Sequence, residues 1–143
     1  MDGQLRIDAD LDQLGDVRQF IRRRVASGNP PADCVDDLVQ AVDEAVTNVI
    51  IHGYQGQPGW LQVSVATEDD RFVVTIQDQC RPFDPTTVPE PDLAVPPMDR
   101  TPGGMGIHLI RESTDSMTYT PRPGGGNILT MIRARRAGGR QEG

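Results

Sequence analysis

Apolar residues recur along this chain with two different periods, and the switches between them mark out its elements. Leu5-Arg6-Ile7-Asp8 alternates, which predicts a short edge strand. From about Asp10 the period changes. Leu14, Val17, Ile21 and Val25 recur at three and four, the spacing of a helix, with Gly28 as its natural stop. Pro30-Pro31 opens a second helix, because proline is tolerated in a first turn. Its stripe is Val35, Leu38, Val39, Val42, Val46, Val49 and Ile50, and Gly53 marks its expected end. Residues 61–66 and 72–77 read as two strands of a hairpin around Glu68-Asp69-Asp70. Periodicity is then lost over residues 79–102, where seven of the twelve prolines fall without a glycine. A stretch of that kind inside a small domain is usually functional or mobile. A short helix resumes from Met105 to about Asp115, and residues 116–120 and 127–133 form a last hairpin.

Strands and helices in this order segregate instead of alternating. That points to an α+β fold, a two-layer sandwich with a mixed, largely antiparallel sheet. There is no internal repeat. One domain is expected over residues 1–133, with residues 134–143 as a disordered tail.

Composition narrows the function more than the fold. A chain of 143 residues buries roughly 68–70% of its unfolded surface, enough for one core. The net charge of -7 argues against a direct nucleic-acid partner. The longest apolar run, Val49-Ile50-Ile51, is too short for a bilayer, and the start lacks a secretory pattern, so a cytoplasmic protein without membrane attachment is expected. Cys34 and Cys80 have no metal-ligand spacing. All 14 basic residues are arginine, which excludes a P-loop and the familiar protein-kinase fold, since both need a lysine on the phosphates.

Against that background a few residues carry chemistry. On the second helix Glu44 and Asn48 share a face opposite the valine stripe, with Asp37 in the same direction. Such a face is commonly only solvated. Asparagine is nevertheless a poor helix-interior residue, and Ile51 on nearly the same side suggests that the face is partly covered. Glu44 suits a general base. Asn48 suits Mg²⁺, which keeps several waters and needs few protein ligands. His52 reads better as a helix-end residue than as a ligand. Asp78 ends a strand where it can accept from an exocyclic amine, or it is an ordinary turn aspartate. Gly103-Gly104-Met105-Gly106 opens a helix whose free amides suit an anion.

Taken together, Glu44-Ala45-Val46-Thr47-Asn48 with His52-Gly53-Tyr54, Asp78 with Pro82-Phe83-Asp84-Pro85, and Gly103-Gly104-Met105-Gly106-Ile107 resemble the anti-sigma-factor serine kinases of the GHKL ATPase superfamily. The likeness runs from about residue 10 to 133. It implies a Bergerat-type sandwich holding ATP and Mg²⁺, with residues 79–104 as the ATP lid. It implies Glu44 as catalytic base, Asn48 as Mg²⁺ ligand and Asp78 on the adenine amine. Gly104, Met105 and Gly106 would line the phosphates, Thr130 would lie beside adenine, and Arg100 would reach a phosphate or a docked partner. The implied partners are an anti-sigma-factor antagonist as substrate, a sigma factor, and a second copy of the chain in a homodimer. One position departs from the family pattern: the usual Asp-x-Gly is here Asp78-Gln79-Cys80. Cys80 either narrows the base pocket in an allowed conformation or marks weakened nucleotide binding.

Overall fold

A computed structural model of the chain describes residues 3–87, 94 and 104–136. Five strands, β1 (Gly3–Asp8), β2 (Trp60–Glu68), β3 (Arg71–Asp78), β4 (Ser116–Pro121) and β5 (Asn127–Ala134), form one sheet in the order β1-β2-β3-β5-β4. All four pairings are antiparallel, so the sheet is not mixed among these residues. Three helices, α1 (Leu14–Ala26), α2 (Ala32–Asn48) and α3 (Gly104–Ser113), make the second layer.

Strand parity builds the core. Leu61, Val63 and Val65 of β2, Phe72, Val74 and Ile76 of β3, and Leu129 and Met131 of β5 are buried, while their neighbours are half-buried or, at Arg71, exposed. The buried set meets Val17, Ile21 and Val25 of α1 and Leu38, Val42 and Val46 of α2. At about 25 cal/mol per Å² of apolar surface removed from water, this one shared interface is the main stabilising term. Helix α2 lies between its two neighbours and is buried on several sides, including Cys34, Ala41 and Ala45.

The expected helix stops are shifted. Helix α1 ends at Ala26, and Asn29 rather than Gly28 takes the left-handed conformation (φ 53°). Helix α2 continues into a π-helical turn, Val49–Tyr54, and Gln55 (φ 54°) ends it instead of Gly53. At the C-terminal end β5 runs one residue beyond the expected 133, to Ala134. Arg135 and Arg136 are also held, by the Gly28 carbonyl (2.6 Å) and the Asp115 carboxylate (2.5 Å). The tail expected from residue 134 therefore does not begin there; residues 137–143 lie outside the described residues.

Candidate functional site

The alternation of β3 runs Phe72, Val74, Ile76, Asp78, so the next position on the apolar face is an acid. Asp78 is 2% exposed. A carboxylate so placed must be hydrogen-bonded. Three donors converge on its Oδ1: the Cys80 backbone N–H (3.0 Å), the Cys80 thiol (2.9 Å) and the Asn127 side-chain amide (2.9 Å). Asn127 stands directly opposite Asp78 in the β3–β5 register. Gly126 makes that approach possible: at φ 113°, a Cβ there would collide with the Asp78 carbonyl oxygen.

Asp78 lines a cleft of about 310 Å³. Val49, Ile107, Ile110 and Leu129 give it apolar walls; Asn48, His52, Asn127 and Tyr119 add polar groups; Pro82 and Phe83 lie along its edge. Phe83 is 53% exposed, unusual for an aromatic side chain. This mixture of apolar walls and a few convergent polar groups is what a small-molecule site presents.

Helix α3 closes the other side. An added Cβ on Gly106 would stand 3.2 Å from Glu44 Oε2 and 3.6 Å from Asn48 Oδ1. The carboxylate and the amide therefore face the first turn of α3, and they are half-buried instead of forming a solvated face. The cover comes from α3. Ile51, read from sequence as part of it, is 45% exposed. Burial, with the Asp43 charge second, holds the Glu44 carboxyl above the usual carboxylate range. Asp37 shares the Glu44 direction but is committed elsewhere, to Arg133 at 3.0 Å.

The His52-Gly53-Tyr54 turn has a separate task for each residue. His52 lines the cleft. Gly53 lies under Cys80, whose sulfur would be 2.7 Å from any Cβ at that position. The buried Tyr54 hydroxyl donates to the Trp60 carbonyl (2.6 Å) and accepts from the Gln79 N–H (2.8 Å), tying the turn to β2 and to the end of β3. π-Helical turns often occur at functional sites.

One expectation changes. Thr130 is not in the cleft: it pairs with Thr75 and Thr118 on the opposite face of the sheet, because strand parity sends 127, 129 and 131 inward. Asn127, three residues earlier on β5, faces the cleft instead. Sequence reading missed it, since an asparagine after three glycines looks like part of a turn. Arg100 and Gly103 lie outside the described residues, as does most of the expected lid. Gly104 and Met105 form the first turn of α3.

No cluster of three or more His, Cys, Asp or Glu able to hold a metal occurs among the described residues. Asn48 beside Glu44 fits an ion that takes most of its ligands from phosphates and water, as Mg²⁺ does. Among the described residues no helix is long and apolar enough to cross a membrane.

The model of the histidine kinase-like ATPase domain matches residues 7–133. The chain belongs to that family. Membership implies ATP as the ligand class. This histidine kinase-like ATPase domain is similar to the anti-sigma F factor of Clostridium acetobutylicum, with 29% identity over 123 residues, 78% of this chain and 81% of that protein. It is 30% identical over 95 residues to the serine/threonine-protein kinase BtrW of Bordetella bronchiseptica, 66% of each chain. The crystal structure of the RsbU and RsbW domains of a Mycobacterium tuberculosis protein has the same fold. It superimposes with a TM-score of 0.66 at 17% identity, over 99% of this chain and 34% of that one.

Proposed function

We propose that this domain is a Mg-ATP-dependent serine/threonine-protein kinase acting as an anti-sigma factor. Its substrate is a hydroxyl of an anti-sigma-factor antagonist, and its other partner is a sigma factor. The reading rests on one arrangement above all: Glu44 and Asn48 meet the start of α3 while Asp78 lies at the cleft's other wall. The names of the relatives in Clostridium and Bordetella, an anti-sigma F factor and a serine/threonine-protein kinase, support the anti-sigma setting and the reaction type; the antagonist as substrate is part of the proposal. A homodimer belongs to the same proposal.

Bound Mg-ATP would supply the phosphoryl group and the charge that offsets its oxygens. Asp78 accepts from the adenine amine. The amides at the start of α3, around Gly104, Met105 and Gly106, face the phosphates. Asn48 contributes an amide oxygen to Mg²⁺. Glu44 takes the proton of the attacking hydroxyl, and its raised affinity for protons makes it a better base than an exposed glutamate.

Transfer from labelled ATP to the cognate antagonist tests the proposal. Glu44→Ala should lower the rate by about 10²–10⁴ with little change in ATP affinity. Undiminished transfer would remove Glu44 from this role. A second reading, a regulator-binding module with weak or no ATP binding, is favoured by the Cys80 thiol seated on Asp78. Calorimetry separates the two: no heat of binding with millimolar Mg-ATP would leave only the module.

A further inference from the structure

Asn127 is a junction where three segments meet. Its Nδ2 donates to Asp78 Oδ1 (2.9 Å) and to the Arg81 carbonyl (3.1 Å), with the Cys80 sulfur at 3.3 Å. Its Oδ1 accepts from the Phe83 backbone N–H (2.8 Å) and the Tyr119 hydroxyl (2.8 Å). The partners fix the orientation of the amide: turned over, oxygen would face the Asp78 and Arg81 oxygens, and N–H would face the Phe83 N–H. Both donors and both lone pairs are in use, at a residue 6% exposed.

No shorter or purely apolar side chain reproduces this set. A hydroxyl offers one proton, and a carboxylate offers none. The position is also fixed in space, because Gly126 lets the start of β5 lie against the Asp78 carbonyl. One amide therefore orients the carboxylate that recognises the base. The same amide anchors the segment leaving β3, which carries the exposed Phe83 along the cleft edge.

We propose that Asn127 is a positioning residue that couples base selection at Asp78 to the placement of residues 81–83. The proposal rests on reading the cleft as an adenine-nucleotide site. With Asn127 in place, the donors crowd onto Oδ1 and leave Oδ2 as the acceptor for an exocyclic amine. Without it, the carboxylate loses one of its two side-chain donors and turns more freely. The Phe83 N–H and the Tyr119 hydroxyl then lose their acceptor.

The test uses the full chain, Mg-ATP, and Mg-ITP, whose base has a carbonyl where adenine has its amine. Affinities are measured by calorimetry and the Phe83 amide by hydrogen exchange, with the folded fraction fixed by circular dichroism. Asn127→Ala should weaken ATP by about tenfold, the size of one lost charge-assisted bond. It should cut the ATP-over-ITP preference by about fivefold or more and speed exchange at Phe83. Asn127→Ser, which retains one donor on a shorter arm, should fall between. Partial unfolding would lower both affinities equally and leave the preference unchanged, so the ratio separates positioning from stability. A wild-type preference kept within about twofold in Asn127→Ala, with wild type binding ATP, overturns this proposal alone. Wild type that binds neither nucleotide overturns it together with the kinase reading.

Discussion

At the scale of single residues, Gly53 and Cys80 pack against each other in the wall of the cleft. Burial first, then the hydrogen bond to Asp78, pushes the Cys80 thiol up to about 12, so at neutral pH it is a donor to the carboxylate and an unreactive thiol. Its sulfur fills the space where a side chain at 53 would be. Gly53→Ala should therefore displace Cys80 and weaken ATP by about tenfold, the scale of an overpacked contact. Adding Cys80→Gly should restore most of that affinity; calorimetry of the single and double variants measures the coupling. Asn48 stood out in the sequence because asparagine is a poor helix-interior residue, while Glu44 and Asp78 were singled out only by their order and spacing relative to it and to the later glycines. Asn127 was not, because its partners lie up to 49 positions away and only the β3–β5 register reveals them. Thr130 failed on parity, where an odd shift along a strand sends a side chain to the other face.

At the scale of elements, a buried arginine joins β5 to α2 away from the cleft lining. Arg133 of β5 is fully buried and pairs with Asp37 of α2 at 3.0 Å, with Asp33 at 3.8 Å. Its guanidinium also reaches the Ala134 and Arg136 carbonyls. The pair fixes the N-terminal half of α2, the same helix whose other end carries Glu44 and Asn48. Arg133→Ala should cost about 3 kcal/mol, since removing one partner leaves a buried void and an unpaired acid. Loss of Arg18, whose bond to Asp43 is largely exposed, should cost less than about 1 kcal/mol. Urea unfolding midpoints of the two variants check the contrast. Helix and strand periods were readable because burial follows the 3.6 and 2 repeats. Helix ends were less so. Glycine signals a possible stop, but Asn29 and Gln55 took the left-handed positions while Gly53 was held by packing against Cys80.

Across the whole molecule, the sheet order places the ends of β3 and β5 side by side, with α2 and α3 flanking the cleft. That architecture was foreseeable from segregated strands and helices; its strand order and fully antiparallel pairing were not, since hydrophobic pattern says little about which hairpins adjoin. The site has a thermodynamic cost. Burial raises the Glu44 carboxyl in the folded state, so the native protein binds this proton more tightly than the unfolded chain. The resulting stability is present below the unfolded value and fades as pH rises through the folded one. Glu44→Gln should accordingly be more stable than wild type at pH 7 and indistinguishable near pH 3, as thermal melts at the two values will show. A variant destabilised equally at both would contradict the burial of that carboxyl.

Gly126 has a consequence for how the chain can vary. A Cβ there would strike the β3 backbone, whereas Gly124 and Gly125 meet nothing within 4 Å. Gly124 (φ 86°) and Gly125 (φ 114°) still resist side chains through their positive-φ backbone, whereas Gly126 is barred by contact as well and acts as a register pin. Sliding β5 by a single position would turn Asn127 outward, and in one direction would bring its side chain to that crossing, so alternative pairings of β5 with β3 are disfavoured from within the fold.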